Sequence, residues 1–309
     1  MTFAQVTSLT TADGAQLAVR QLQPSGTPKA IIHINHGMAE HSLRYARFAD
    51  ALAGADYGVV AHDHRGHGET TAPDAHLGHF GGKDGWDRVM GDVMAVNRFA
   101  REANPDVPII VFGHSMGAII AFNHTLREPD SIAGAALWNA GVENGPINLV
   151  FNAILKTQRF FRGSDVPSPI AKKLTFETWN KEFAPNRTDF DWLSRDEREV
   201  DLYVHDPLCG FDVSIALWLS VLEGVAFAAD DKKLAHLPKD LAVHLLAGEK
   251  DPCSEHGKAV AHIEQRMKST GMQDVTFNLL ADTRHESLNE INRDQTTADF
   301  IAWLDTRFG

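Results

Sequence analysis

The chain has 309 residues, and its composition excludes several broad classes of protein. Hydrophobic residues make up 43% and charged residues 23%, which is ordinary for a globular protein and argues against wholesale disorder. Because the net charge is −12, the surface repels phosphate backbones, and we expect no nucleic acid among the partners.

Cysteine content and the N-terminal sequence predict the compartment. Two cysteines, Cys209 and Cys253, are too few for a disulfide framework, which favours a reducing environment. The opening residues, MTFAQVTSLTTADG, lack the basic and apolar segments of a secretory signal. No apolar run reaches the roughly 18 residues that a membrane span needs. We therefore expect a cytoplasmic protein.

Strand-like and helix-like segments alternate along the first part of the chain. Asp13-Gly14 lies between two β-prone stretches and is typical of a hairpin turn. Short apolar runs then predict strands, and apolar residues at helical spacing predict helices. The predicted strands are 30–35, 58–61, 108–112 and 133–138, and the predicted helices are 42–53, 89–103 and 116–126.

After residue 141 the alternation stops. Helix-like segments, proline turns and many aromatic residues fill the stretch as far as residue 234. Strand patterns resume at 241–247 and 275–280, and a last helix is predicted over 293–307. Short buried strands between helices predict an α/β fold, a mainly parallel sheet with helices on both faces. We expect a core of 1–141 and 235–309, with 142–234 inserted as a helical cap.

The sharpest motif is Gly113-His114-Ser115-Met116-Gly117, between a predicted strand and a predicted helix. This G-x-S-x-G pattern in that context is typical of a nucleophile elbow. Side chains at Gly113 and Gly117 would clash in so tight a turn, and Ser115 is expected in a strained conformation that exposes its hydroxyl. The other interpretation is a glycine-lined turn with an inert serine.

A serine nucleophile needs a base that is oriented by a carboxylate, and this fold places them in the order Ser, acid, His. Asp251 follows the strand 241–247, where the acid is expected, although Glu249 competes for the role. His285 follows the strand 275–280, where the base is expected. A turn-forming aspartate and a solvated loop histidine are the alternatives.

An oxyanion hole needs two backbone N–H groups. The first is predicted at Met116, the residue after the nucleophile. The second is predicted at Met38, because the small Gly37 lets the loop after the strand 30–35 turn toward the same oxygen.

Taken together, these motifs resemble the α/β-hydrolase superfamily, in particular its monoacylglycerol lipase/lysophospholipase branch, the serine-aminopeptidase-like hydrolases. The matching motifs are H-G-M-A-E-H-S-L-R-Y (36–45), D-H-R-G-H-G (63–68), G-H-S-M-G (113–117), D-P-L (206–208), L-L-A-G-E-K-D (245–251) and R-H-E-S-L-N-E (284–290). The resemblance implies a Ser115–Asp251–His285 triad, oxyanion donors at Met38 and Met116, and an apolar acyl pocket under the cap. Ala39 and Leu43 depart from it, since glycine is frequent at both places.

Histidine and cysteine also permit other sites. His62, His64 and His67 are closely spaced, but Arg65 among them would repel a cation, and we expect neither a metal nor a cofactor. His33 and His244 lie on predicted strands and are expected to be hydrogen-bonded structural residues. Cys253 is interpreted as a packing residue; a regulatory thiol is the alternative.

Cap aromatics such as Phe160, Phe161 and Trp179 are the candidates for the substrate pocket. Residues 156–162, KTQRFFR, combine basic and aromatic side chains, which favours transient contact with a lipid surface. Burial of both phenylalanines under the cap is the competing interpretation.

The sequence therefore predicts a serine hydrolase that cleaves carboxylic esters of small amphiphilic, lipid-like substrates through an acyl-enzyme. An aminopeptidase or a small-ester esterase on the same triad is one alternative. A peptidase would need carboxylates facing the pocket, and Glu177, Glu182 and Asp189 are available in the cap. A non-catalytic binding module on a hydrolase fold is the alternative of another class.

Overall fold

A computed structural model describes residues 2–143 and 145–309 and contains an eight-stranded sheet. The strand order is β1-β2-β4-β3-β5-β6-β7-β8. In chain order the strands are β1 Val6–Thr10, β2 Gln16–Leu22, β3 Ile31–Asn35, β4 Gly58–His62, β5 Ile109–His114, β6 Gly134–Trp138, β7 Ala242–Gly248 and β8 Val275–Leu280. β1 and β2 form the predicted hairpin, and the strands from β3 to β8 pair in parallel.

Helices cover both faces of the sheet, which confirms the predicted fold class. They are α1 Ala46–Gly54, α2 Gly85–Ala103, α3 Met116–Arg127, α4 Pro146–Arg162, α5 Pro169–Leu174, α6 Phe176–Lys181, α7 Glu197–His205, α8 Ile215–Ala228, α9 Asp231–Leu234, α10 Lys258–Ser269 and α11 Arg293–Phe308. Short 3-10 turns precede α1 at Ser42–Tyr45 and follow α3 at Pro129–Ser131. None of the helices within 2–143 and 145–309 is long and apolar enough to cross a membrane.

Alternating residues of the buried strands point to opposite faces of the sheet. In β5, Val111 packs with α2, α3, α8 and α10 on one face, whereas Ile110 and Phe112 pack with α1 and α11 on the other. Because both faces are covered, the central strands have no solvent-facing positions and appear in the sequence as continuous apolar runs.

The stretch from 142 to 234 folds mainly into helices, but α8 packs with the sheet's own helices. Gly224 lies so close to Trp86 of α2 that an added Cβ would be 2.0 Å from the indole ring. The Asn123 side chain on α3 donates to the Gly224 carbonyl at 2.9 Å. This helix therefore shares the core of α2 and α3, and the division into core and cap at 142–234 stays a prediction.

Parallel strands bring their carboxyl ends to one edge of the sheet. β3 ends at the loop that holds Met38, β5 at Ser115, and β6 at Asn139. β7 and β8 end just before Asp251 and His285. Ligands bind at this edge in open α/β sheets, and the predicted site residues therefore meet there.

Candidate active site

The turn between β5 and α3 holds Ser115 in a backbone conformation that is rare for a residue with a side chain. Its φ is 56° and its ψ is −121°. An added Cβ at Gly113 would lie 2.0 Å from the Gly117 carbonyl oxygen, and one at Gly117 would lie 2.0 Å from the Asn35 carbonyl oxygen. Only glycine fits at these two positions, so the predicted strain and steric restriction are both present.

Asp251 and His285 form a buried hydrogen-bonded pair. The imidazole Nδ1 and the carboxylate Oδ1 are 2.9 Å apart, and Asp251 is fully buried. Burial alone would raise the pKa of Asp251, but the charge and hydrogen bond of His285, with further donors, hold it below its usual value. Since Asp251 is therefore an anion, it accepts from Nδ1–H, which leaves Nε2 as the basic nitrogen.

Ser115 shares a cavity with His285 of this pair. The volume of this cavity is about 1100 Å³. The Cys253 thiol lies within 4.8 Å of a ring nitrogen of His285 and a carboxylate oxygen of Asp251. Burial raises the pKa of that thiol well above its usual value, the charge of Asp251 raises it further, and a hydrogen bond with Ser115 lowers it. Ser115 and Cys253 therefore line the same cavity, next to the Asp251–His285 pair.

Met38 and Met116, the residues of the two predicted backbone donors, both line the cavity. Met116 is the first residue of α3, so its N–H has no acceptor within the helix. Met38 lies in the turn after β3, where Ala39 has a φ of 55°. This left-handed conformation explains why glycine is frequent at the position. The Ala39 carbonyl accepts from Gly210 N–H and Tyr203 O–H, both at 2.9 Å, and these bonds fix the loop.

A buried ion network lies behind His285. Arg44 donates to Glu40 at 2.6 Å and to both oxygens of Glu286 at 2.6 Å. Burial would raise the pKa of Glu40, but the charge of Arg44 and the neighbouring His114 and His36 together outweigh it and hold that pKa well below its usual value. Glu286 follows His285 directly, and His114 Nε2 lies 3.0 Å from the His285 carbonyl oxygen. The 36–45 motif therefore anchors the loop that carries the base.

Sequence reasoning missed two residues that hold the acid. The Asn139 side chain donates to Asp251 Oδ2 at 3.1 Å, and Ser287 donates to Asn139 at 2.9 Å. Asn139 is fully buried, with a φ of 56°. Its place immediately after β6, between the strands of the nucleophile and the acid, is the signal that could have found it.

Of the pocket candidates, Trp179 lines the cavity, whereas Phe160 and Phe161 do not. Phe160 is 83% exposed and Phe161 77% exposed, at the outer end of α4. The expectation of a substrate contact is therefore wrong for these two residues, because α4 turns that end toward solvent. The interpretation in which both are buried under the cap is wrong as well.

The other histidines have structural surroundings. His244 is hydrogen-bonded to Trp138 at 3.0 Å and to Asn278 at 3.1 Å, as predicted. The same prediction is wrong for His33, because it packs against the rings of His62 and His124, and neither of its ring nitrogens has a partner among the described residues.

Arg65 lies in the segment of clustered histidines and forms ion pairs with Asp92 at 2.6 Å and Asp13 at 2.9 Å. In the part of the chain that the structure describes, two groups of side chains lie close enough to share a metal ion. One is His41, Asp206 and Cys209, and the other is Asp251, Cys253 and His285; neither contains His62, His64 or His67.

Comparisons with known proteins point in one direction. A family model described as serine aminopeptidase, S33, matches residues 26–292. A monoglyceride lipase of Mus musculus is 32% identical over 90% of this chain and 82% of its own length. A monoacylglycerol lipase of Mycolicibacterium smegmatis is 26% identical over 94% of this chain and 93% of its own length.

Solved structures share the fold. A thermostable carboxyl esterase from Bacillus coagulans in complex with glycerol has a TM-score of 0.90 and 23% identity, over 100% of both chains. The monoacylglycerol lipase of Paleococcus ferrophilus has a TM-score of 0.70 and 22% identity, over 94% of this chain and 99% of its own.

Proposed function

Because this chain belongs to the serine aminopeptidase, S33, family, we propose that its candidate site hydrolyses lipid-like carboxylic esters, above all monoacylglycerols, with lysophospholipids next. The fold is that of the α/β-hydrolases, and the chain is an ester hydrolase of the monoacylglycerol lipase type. The observation that carries the proposal is the buried Asp251–His285 hydrogen bond beside the strained Ser115 in one cavity.

In the proposed reaction, Ser115 is the nucleophile and His285 is the general base. Rotation about the Ser115 Cα–Cβ bond brings the hydroxyl to the imidazole, since a serine side chain has three staggered positions. His285 Nε2 then takes the hydroxyl proton as Oγ bonds to the acyl carbon. Asp251 holds the imidazole in the required tautomer and stabilises the imidazolium.

The Met38 and Met116 N–H groups are proposed to bind the oxyanion of the tetrahedral intermediate. The imidazolium then gives its proton to the leaving alcohol, which departs and leaves the acyl group on Ser115. His285 next takes a proton from a water molecule as the water oxygen bonds to the acyl carbon. The C–Oγ bond then breaks, the imidazolium returns the proton to Ser115 Oγ, and the carboxylic acid is released. Each step uses only residues of this chain and water.

Cavity shape supports a substrate with an apolar chain. Apolar side chains of α3, α4 and α8 form one wall of the cavity. These residues are Ile119, Phe151, Ile154, Trp218, Val221, Leu222 and Val225. A volume of about 1100 Å³ slightly exceeds the usual range of roughly 300–1,000 Å³ for small-molecule sites and leaves room for an extended acyl chain.

A second candidate function is an aminopeptidase on the same triad. Glu177 and Asp189 line the cavity, as a site for a substrate amine would require. Glu182 instead pairs with His256 at 3.3 Å, and the basic Lys172 and Lys181 also line the wall. The peptidase interpretation is correct if the purified protein cleaves proline naphthylamide faster than monoacylglycerol.

The main experiment compares hydrolysis of monoacylglycerols and p-nitrophenyl esters of graded chain length by the wild type and by Ser115→Ala. We expect the substitution to lower kcat by about 10⁴–10⁶-fold, as removal of a serine nucleophile does elsewhere. A fluorophosphonate probe should label the wild type and not the variant. No labelling, with no hydrolysis of any ester, would favour the non-catalytic binding module.

We also propose that α4 contacts lipid surfaces. Phe160 and Phe161 project into solvent, and the helix carries Lys156, Arg159 and Arg162 with no acidic residue. Exposed aromatic and basic side chains on one helix favour an anionic interface. The positive charge is local, because the chain as a whole has a net charge of −12.

The test is binding to vesicles of phosphatidylglycerol by the double variant Phe160→Ser, Phe161→Ser. We expect weaker binding and slower hydrolysis of vesicle-bound monoacylglycerol, with unchanged hydrolysis of dissolved p-nitrophenyl acetate. Leu202→Ser on α7, at a residue that is 67% exposed, is the matched control. Equal losses in both variants would contradict a specific role of α4.

Two further expectations stay proposals. The cap is proposed to span 142–234, supported by the helices α4 to α7 in this stretch, whereas α8 also packs with α2 and α3. A cytoplasmic location is proposed because Cys209 and Cys253 are both free thiols.

A further inference from the structure

The ring of Trp192, in the segment between α6 and α7, packs directly on the ring of His285. The two ring centroids are 4.7 Å apart, with 35° between the planes. Trp192 also stacks on Phe176, at 5.8 Å and 15°. Two backbone hydrogen bonds join the same segments: His285 N–H donates to the Trp192 carbonyl at 3.4 Å, and Glu286 N–H to the Leu193 carbonyl at 2.7 Å. The position of this indole relative to the imidazole is therefore fixed by both ring packing and backbone.

In this position the indole N–H of Trp192 is buried without a hydrogen-bond acceptor among the described residues. The residue is 5% exposed. A buried unsatisfied donor is unusual and calls for an explanation. No side-chain hydrogen bond orients the Trp192 ring. Its position is therefore set by ring packing, and one of the rings that it packs against is that of His285.

Resting on the proposed function, we propose that Trp192 is a positioning residue that stabilises the imidazolium form of His285. The proton that leaves Ser115 puts a positive charge on this imidazole for the lifetime of the tetrahedral intermediate. An aromatic face attracts a cation within about 6 Å of its centroid, and tryptophan does so most strongly. The attraction is larger for a buried pair, since water does not compete.

A second imidazole, that of His114, also lies beside His285. The His114 ring lies 4.8 Å from the His285 ring. Burial lowers the pKa of His114, but its contact with the Glu40 carboxylate outweighs burial and raises that pKa above the usual value. When His114 is protonated, its charge opposes a positive charge on His285. The carboxylates of Asp251, Glu40 and Glu286 favour it, and Trp192 adds to them.

The experiment replaces Trp192 with phenylalanine, which keeps an aromatic face, and with leucine or methionine, which fill space without one. Hydrolysis of p-nitrophenyl acetate and p-nitrophenyl laurate is followed, with thermal unfolding to show that each variant folds. We expect the leucine and methionine variants to lose about tenfold to thirtyfold in kcat on both esters, with KM changed much less. Phenylalanine should restore most of the loss.

Trp179→Leu is the matched control, because Trp179 also lines the cavity and its ring contacts Trp192 and Phe176 rather than His285. It should change KM for the laurate more than kcat for the acetate. If Trp192→Leu loses activity only on the laurate, or if phenylalanine is as poor as leucine, the inference is wrong. A wild type that hydrolyses no ester would refute the proposed function and the inference with it, whereas an active wild type with a fully active Trp192→Leu refutes the inference alone.

Discussion

At the scale of single residues, the orientation of the Asp251 carboxylate depends on hydrogen-bond donors other than His285. Its Oδ1 accepts from His285 and from the Cys253 N–H at 3.0 Å, and its Oδ2 accepts from Asn139 at 3.1 Å. A buried carboxylate oxygen that loses its donor becomes costly to keep charged. The orientation of the carboxylate, and with it that of the imidazole, therefore depends on Asn139.

We expect Asn139→Ala to lower kcat by about tenfold while leaving KM within about twofold, because the substitution removes one charge-assisted hydrogen bond of roughly 1.5–3 kcal/mol. The measurement is steady-state hydrolysis of p-nitrophenyl butyrate. Ser287→Ala is the matched control, since it removes only the hydrogen bond from Ser287 to the Asn139 side-chain oxygen. It should lower kcat less than Asn139→Ala does. Equal kcat values for the wild type and Asn139→Ala would contradict this role.

The parts of the site that follow from chain order could be predicted, and the contacts across the chain could not. Ser115, Asp251 and His285 each follow a strand with an apolar sequence, so the topology of a parallel sheet brings them to one edge. Asn139 and Trp192 act through contacts with residues that are 112 and 93 positions away in the chain. No local sequence pattern predicts such a contact, because the contact depends on how loops and cap segments pack in three dimensions.

At the scale of elements, α8 shows that a helix of the 142–234 stretch can pack with the helices of the sheet. Its sequence, IALWLSVLEGVAFA, is apolar almost all round, which is typical of a helix buried on most sides. Position in the chain nevertheless favoured the cap, since no strand pattern surrounds it. The structure packs α8 against α2 and α3. Amphipathic helices such as α1 are easier to place, because Phe48, Ala49 and Leu52 form one buried face.

Two glycines inside helices provide a matched test of that packing. Gly224 of α8 has no room for a Cβ, whereas Gly91 of α2 is exposed with nothing within 4 Å of an added Cβ. Alanine is favoured over glycine by about 0.8–1 kcal/mol in a helix interior. We expect Gly91→Ala to raise Tm by a degree or two, and Gly224→Ala to lower it by several degrees because overpacking costs about 1–3 kcal/mol. Thermal unfolding measures both, and similar Tm changes would show that α8 is loosely packed.

At the scale of the whole molecule, buried histidines couple folding to pH. Burial lowers the pKa of His62, His67 and His244 to about 3 and that of His124 to about 4. The packed rings of His33 and His64 have pKa values well below the usual one for the same reason. The sequence contains 16 histidines, but only the fold determines which of them cannot take up a proton.

The sign of the effect follows from proton uptake. An unfolded chain binds protons at these histidines below about pH 6.5, whereas the folded protein does not until about pH 3–4. Their full contribution to stability is therefore present above pH 6.5 and is lost as the pH falls toward 3. Each group changes the free energy of unfolding by about 1.4 kcal/mol per pH unit in that window. His114, whose pKa is raised, acts in the opposite direction, but only above pH 6.5, where its contribution to stability is lost as the pH rises through its folded-state pKa.

We expect the protein to lose several kcal/mol of stability between pH 6.5 and pH 5, before most carboxylates titrate, and to unfold at about pH 4–5. The measurement is chemical unfolding at closely spaced pH values. His62→Leu removes one group that takes up a proton on unfolding, so its stability should fall less steeply with decreasing pH, by about 1.4 kcal/mol per pH unit. Substitution of the exposed His262 on α10 by leucine is the matched control and should keep the wild-type slope. If all three proteins show the same slope, the buried imidazoles accept protons within the fold, and the burial of His62 does not govern acid stability.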